Sequence, residues 1–249
     1  MTRQSKGNVH IGTSGWHFGH WRGTFYPNRL PPREMLHFYA GRLQATEINN
    51  SFYRLPDVSA LENWRDTVPE DFVFAVKASR FITHMKKLKD PSASLGVFLE
   101  RIQVLGRKLG PVLFQLPPRW RCDSKRLRNF LKEIPSGWRC AFEFRDESWL
   151  AEEVFAALSE AGAAFCIFDL DGCLSPLTVT ADFVYLRLHG PGGAYQGSYD
   201  DEALTEWARR IDRWAAEGRD VFCFFDNDQS GYAPLNALAL QRMLTSGSK

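Results

Sequence analysis

Short apolar runs and helical patterns alternate along almost the whole of this chain, and that alternation limits the folds open to it more than any other feature. The strand-like runs cover residues 10–14, 45–49, 72–77, 112–116, 139–144, 164–169, 183–188 and 221–225. They are too short for buried helices, and most are rich in β-branched or aromatic residues. Helical patterns occupy 33–42, 59–67, 92–109, 124–133, 151–161, 201–218 and 234–244, with start signals such as Pro32 and the Asp200-Asp201 pair. Strands that repeat in one direction need a crossover, and a helix supplies it. The pattern predicts an α/β fold, a single TIM (β/α)8-type barrel with parallel strands. Residues 170–182 are too few and too rich in Gly, Ser, Pro and Thr for a full helix, so the helix between the sixth and seventh strands is expected to be irregular or missing. A doubly wound open sheet is the main competitor. It usually carries a Gly-rich dinucleotide turn after its first strand, and no GxGxxG occurs here.

A length of 249 residues with 44% hydrophobic content suits one barrel domain over 1–249, with its core at about 9–244. Lys and Arg total 31 against 29 Asp and Glu, a net charge of +2. That balance excludes a strongly basic nucleic-acid or membrane binder, but not a local basic patch. Residues 1–8 hold no apolar leader segment, no apolar window is long enough to span a bilayer, and residues 245–249 read as a frayed tail. The five cysteines form no CxxC pair, and Cys140, Cys166 and Cys223 lie inside apolar strands as expected buried thiols. A cytoplasmic protein with no membrane partner is expected; the oligomeric state is left open.

Alternate strand residues share a face. On one face, strand after strand begins small or apolar and turns polar toward its C-terminal end. The second run presents Glu47 and Asn49, the third Lys77, the fourth Gln115, the fifth Glu143 and Arg145. The seventh presents Tyr185, Arg187 and His189, and the eighth ends in Asp226, Asn227 and Asp228. In a barrel these ends converge on the mouth where βα loops build active sites. Ionisable groups placed there are expensive unless they are paired or used. The bland alternative is a polar layer closed by ion pairs such as Glu143 with Arg187 or Lys77 with Glu47.

By residue type, Glu143 and Glu47 are candidate proton-transfer groups, joined in the catalytic set by Lys77, His189 and Asp226. Arg187, Arg145 and Lys77 suit an anionic group, and a Schiff-base role for Lys77 is disfavoured by the carboxylates around it. His189 would orient or share protons. Trp16, Asn49, His84, Gln115, Gly190, Asn227 and Asp228 complete the expected binding set. No HExxH, HxH or Cys/His spacing occurs, so no cofactor and no metal ligand set is predicted, and a divalent ion on the carboxylates is a minor alternative. The loops at 190–193 and 229–231 are glycine-rich, as in barrels that bind phosphate through backbone N–H groups. Trp16, Phe18, Trp21, Phe25 and Tyr26 crowd the first loop, as a lid core or a stacking site. Arg80, Lys86, Lys87 and Lys89, with Phe81 and His84, follow the third strand as a solvated face or a phosphate path.

Several of these segments recur together in one pattern: Gly12-Thr13-Ser14-Gly15-Trp16 with Trp21 and Phe25-Tyr26-Pro27, Glu47-Ile48-Asn49-Asn50-Ser51-Phe52-Tyr53, and Phe74-Ala75-Val76-Lys77 leading to Thr83-His84. The rest are Leu113-Phe114-Gln115-Leu116-Pro117-Pro118, Glu143-Phe144-Arg145 with Ser148-Trp149, Arg187-Leu188-His189-Gly190, and Phe225-Asp226-Asn227-Asp228 with Gly231 and Asn236. From about residue 9 to 244 the chain resembles the YecE-like family, domain of unknown function seventy-two. That resemblance implies a TIM barrel and no assigned reaction. Members often carry Asn-Asn-Asp at the eighth strand; Asp226 here replaces the first Asn and adds a negative charge.

Three functions follow as expectations. The first is an enzyme, its reaction class unassigned, using acid/base chemistry on a small phosphate- or carboxylate-bearing molecule. The second is a protein that binds or processes nucleic acid through the aromatic first loop and residues 80–89. The third is a barrel that binds a ligand without turnover.

Overall fold

A computed structural model describes residues 5–246. The start of the polar lead-in, 1–4, and the last part of the expected tail, 247–249, lie outside the described residues. The strands are β1 (Val9–Thr13), β2 (Ala45–Ile48), β3 (Val73–Lys77), β4 (Leu109–Gln115), β5 (Cys140–Glu143), β6 (Ala164–Leu170), β7 (Cys173–Leu174), β8 (Phe183–Leu188) and β9 (Asp220–Phe225). The helices are α1 (Met35–Ala40), α2 (Val58–Thr67), α3 (Pro91–Ile102), α4 (Ser124–Lys132), α5 (Glu152–Glu160), α6 (Asp201–Ala216) and α7 (Tyr232–Ser246). Parallel strands alternating with helices give an α/β fold of the TIM-barrel type, as the alternation predicts. No helix among the described residues is long and apolar enough to cross a membrane.

The described residues form two compact units. One contains the chain up to Glu47, Ile167–Ser175 and everything from Phe183 on. Here β1 pairs in parallel with β2 (Gly12↔Ala45) and with β9 (Val9↔Val221 through Thr13↔Phe225), and β9 pairs with β8 (Phe183↔Asp220 through Leu188↔Phe225). Gly12 permits the close approach of β1 to β2, because a Cβ there would lie 1.8 Å from the Ala45 carbonyl oxygen. Asp200 caps α6 by accepting from Ala203 N at 2.8 Å, and Asp201 and Glu202 in its first turn complement the helix dipole. Leu204, Trp207, Ile211 and Trp214 recur at helical spacing and are buried, each contributing about 1.5–3 kcal/mol.

The other unit is Ile48–Cys166 with Pro176–Asp182. It pairs β3 with β4, β4 with β5 (Val112↔Cys140 through Gln115↔Glu143) and β5 with the start of β6 (Ala141↔Ala164), all in parallel. Phe114 stacks on Phe142 at 5.1 Å, and Phe130 of α4 packs edge-on against Phe114. Asp123 caps α4 by accepting from Arg126 N at 3.0 Å.

Two local expectations are refined. The helix expected over 92–109 ends at Ile102, and 103–108 continues as tighter 3-10 turns broken by a kink at Gly106. Gly106 sits there at φ 59°, a left-handed conformation that glycine adopts without the Cβ penalty. No helix joins β6 to β8, as its composition predicts. β6 instead folds back on β7 in an antiparallel hairpin, with Asp171 (φ 55°) and Gly172 (φ 71°) supplying the two left-handed residues of a primed turn. Cys140, Cys166 and Cys223 are buried free thiols, and burial pushes the Cys140 thiol up to about 12.

Candidate functional site

In the first unit, strand alternation and β8–β9 register assemble a buried ionic cluster. β2 carries Glu47 inward, and β8 aligns Tyr185, Arg187 and His189 on one face. Asp226 N donates to Leu188 O and Ser14 N to Phe225 O, so the ends of β8, β9 and β1 are held side by side. Arg187 is 1% exposed, and its Nη2 lies 2.8 Å from Glu47 Oε1, 3.0 Å from Asp226 Oδ2 and 3.2 Å from Ser14 Oγ. Tyr185 donates its hydroxyl to the other Glu47 oxygen at 2.6 Å. His189 is fully buried with Nδ1 3.1 Å from Asp226 Oδ2, close enough for an ion pair but out of line for a hydrogen bond. A guanidinium thus sits between two carboxylates, one of which also faces an imidazole. Asp226 is the most open of these charged groups, at 18% exposure against 0% for Glu47 and His189.

A layer of neutral and acidic groups holds the loops around this cluster. Tyr199 accepts from Gly190 N and donates to Asp169 Oδ2, each at 3.0 Å. Gly190 has φ 114°, and a Cβ would lie 2.1 Å from Gln196 O, so this turn demands glycine. Burial pushes the Asp169 carboxyl up, partly offset by the hydrogen bond from Tyr199 and the His189 charge. Asn227 Nδ2 donates to Gly197 O and to Asn236 Oδ1, both at 2.8 Å, while Asn236 also accepts from Tyr199 N. Asp228 accepts a short hydrogen bond from Trp21 Nε1 and lies 3.2 Å from His20 Nε2. Its carboxyl is pushed up by burial, with Trp21 and His20 opposing. Trp16, Trp21, Phe25 and Tyr26 are buried, and Trp21, Phe25 and Tyr26 pack ring on ring. Trp21, Phe25 and Tyr26 form a packed aromatic cluster rather than an open stacking face, and the Tyr26 hydroxyl donates to Trp16 O.

In the second unit, Lys77 at the end of β3 places its ammonium 4.6 Å from the centre of the Phe52 ring. His84 meets the same ring edge-on at 4.9 Å and has Nδ1 2.9 Å from Thr83 Oγ1. Burial, then the charges of Lys77 and Arg80, lower the His84 imidazole to about 4, so it is neutral at pH 7. Ser51 donates to Lys77 O at 2.7 Å, tying the turn after β2 to the end of β3. Gln115 lies beside Glu143 in the β4–β5 register, and Glu143 makes a close, buried ion pair with Arg145. Asn49 Oδ1 is buried with no hydrogen-bond partner among the described residues.

The structure therefore brings together Glu47, Arg187, His189 and Asp226 in one unit, and Lys77 with His84, and Glu143 with Arg145, in the other. Gly190, Asn227 and Asp228 belong to the loop-holding layer of the first unit, and Trp16 to its aromatic packing. Sequence reading did not single out Ser14, Asp169, Tyr199 or Asn236 as site groups, and it used Tyr185 only to define a face. Tyr185 and Asp169 carry a usable signal, being polar groups near strand ends. Tyr199 and Asn236 lie in loop and helix with no periodic signal. Among the described residues no group of three or more His, Cys, Asp or Glu is placed to hold a metal ion.

Comparison with known proteins follows the same lines. The chain is 24% identical over 273 residues to the UPF0759 protein YunF of Bacillus subtilis, covering 95% of this chain and 94% of that protein. It matches a DUF72 family protein structure from Thermotoga maritima at 28% identity and a TM-score of 0.87, covering 96% and 99% of the two chains. A DUF72 family protein from Enterococcus faecalis, 20% identical with a TM-score of 0.83 and 95% of each chain covered, has the same fold. Residues 10–249 match the family described as "Protein of unknown function DUF72", and the chain belongs to that family.

Proposed function

We propose that this protein is an enzyme that performs acid/base chemistry on a small phosphate- or carboxylate-bearing substrate. The observation that carries the reading is the Glu47–Arg187–Asp226–His189 cluster: four ionisable side chains, three of them essentially inaccessible, packed around one that is open at its edge. Buried charge on this scale is expensive, and an arrangement of acid, base and cation is what proton transfer beside an anion requires. Asp226 is the group a substrate reaches. His189, at ion-pair distance, orients Asp226, and Arg187 holds both carboxylates in register while Tyr185 fixes Glu47. Asp226 supplies a negative charge at the end of β9, and Arg187 and His189 face it directly.

The test is a screen of sugar phosphates, nucleotides and small carboxylic acids, by thermal shift for binding and by NMR for conversion. A hit should be converted by the native protein, and Asp226→Asn and Glu47→Gln should each lower kcat by about 10²–10⁴ while binding persists. A ligand that binds tightly and returns unchanged would identify a binding protein without turnover and refute the enzymatic reading.

A further inference from the structure

The turn after β3 in the second unit carries a second surface that the ionic cluster does not use. Between Lys77 and Lys89 the chain holds Arg80, Lys86, Lys87 and Lys89 and no carboxylate. These are not side chains on a loose tail. Phe81–Met85 forms a π-helical turn, a rare form associated with functional sites. The chain then passes through Lys87 (φ 47°), Leu88 (φ 63°) and Asp90 (φ 46°), all left-handed and none of them glycine. Leu88 is buried and its N–H donates to Ile82 O at 3.0 Å; Lys86 N donates to Phe81 O and Lys89 N to Lys86 O. One apolar anchor inside Lys86-Lys87-Leu88-Lys89 thus pins the loop while Lys89 is exposed and Lys87, also exposed, has its ammonium 5.8 Å from the centre of the Trp120 ring. Asp90, 3.6 Å from Lys86, is the near carboxylate.

Uncovered apolar groups accompany these cations. Tyr53 is 80% exposed, and Phe81 and Met85 are also exposed. Tyr53 packs edge-on against Phe52, which touches His84 on the same turn as Phe81 and Met85. Lys86 lies 5.8 Å from the Phe81 ring centre. Open rings held beside ordered cations, with no carboxylate between Lys77 and Lys89, match a partner with repeating negative charge and flat apolar faces. Duplex DNA hides its base faces, and a lipid surface offers no flat rings to stack.

We infer that this face docks single-stranded nucleic acid, with Arg80, Lys86, Lys87 and Lys89 on the phosphodiester backbone and Tyr53 and Phe81 against unstacked bases. This binding surface belongs to the second unit alone, and it requires no chemistry at the ionic cluster.

The experiment is fluorescence anisotropy of the full chain with fluorescein-labelled dT20 and the corresponding 20-base-pair duplex, from 50 to 200 mM salt. Binding to dT20 should weaken with salt at a slope of about −0.7 per phosphate contact, and the duplex should bind more weakly. The Arg80→Ala/Lys86→Ala/Lys89→Ala variant should flatten that slope by about 2. Tyr53→Ala should weaken dT20 binding about 5- to 150-fold with the slope unchanged, because stacking releases no counterions. Both variants alter exposed or half-exposed side chains, and circular dichroism verifies their fold. Absence of dT20 binding at 50 mM salt overturns the inference. So does an unaltered slope in the triple variant, equal affinity for heparin with no effect of Tyr53→Ala, or binding to phosphatidylserine vesicles but not to dT20.

Discussion

Replacing Arg187 with Met removes a guanidinium that is 1% exposed and keeps a side chain of similar reach. Glu47 Oε1 and Asp226 Oδ2, now held 2.8 and 3.0 Å from one nitrogen, would face each other without that cation. Breaking a buried pair by removing one partner costs about 3–5 kcal/mol, most of it the penalty of the charge left behind. At about 2–4 °C per kcal/mol for a chain of this size, the melting temperature at pH 8 should fall by about 6–20 °C. The loss should also depend on pH. In the variant the folded state takes up a proton on one of these carboxylates at a pH where the unfolded chain, with ordinary carboxyls near 4, has already released it. Folded protein then binds more protons than unfolded protein, so the variant's stability falls as pH rises from 5 to 8. Urea unfolding followed by tryptophan fluorescence at both pH values measures this. A loss below about 1 kcal/mol at pH 8, or an equal loss at pH 5 and pH 8, would refute the claim that Arg187 neutralises these two carboxylates.

Two other groups make separate predictions. His84 is held well below the ordinary histidine range, to about 4, by burial and by Lys77 and Arg80. As pH falls below about 6.5 the unfolded chain takes up a proton that the folded state refuses, so stability drops between pH 6.5 and pH 4; because the ring is partly exposed the effect is about 1–2 kcal/mol, and His84→Gln should abolish that slope in urea titrations. Tyr199→Phe deletes a hydroxyl bonded to Gly190 N and Asp169 Oδ2, and should cost about 1–3 kcal/mol. The same change removes the hydrogen bond that favours the Asp169 carboxylate, so its carboxyl should titrate higher still, read by carboxyl carbon-13 NMR against Asp169→Asn.

Much of the candidate site was legible because strands have a strict two-residue period. Given that β8 buries Leu186 and Leu188 on one face, Tyr185 and Arg187 must share the other, and the same argument places Glu47 on β2. The glycine at 190 was legible as a turn signal. What the period cannot say is which charged group meets which. Arg187 and Glu47 are 140 positions apart, and their 2.8 Å contact depends on register and on how β2, β1, β9 and β8 lie side by side. Trp21 and Asp228 pair across 207 positions for the same reason. Tyr199 and Asn236 lie outside the strands, where no periodicity marks a side chain's direction.

The aromatic first loop shows the same division. Sequence alone placed Trp16, Trp21, Phe25 and Tyr26 together and left open whether they were packed or presented; tertiary structure buries them, because rings of that size remove most apolar surface from water by stacking on one another. Among the described residues the ring it leaves most exposed is Tyr53, in a short turn where it meets Phe52 edge-on and otherwise faces water. Alternating short apolar runs determined the α/β barrel class and the end of each strand that carries polar groups, since both are local consequences of backbone period. Which of those groups are neutralised, which is open to solvent, and which aromatic faces remain in water were decided only by tertiary packing, because burial and charge pairing are properties of neighbours distant in the chain.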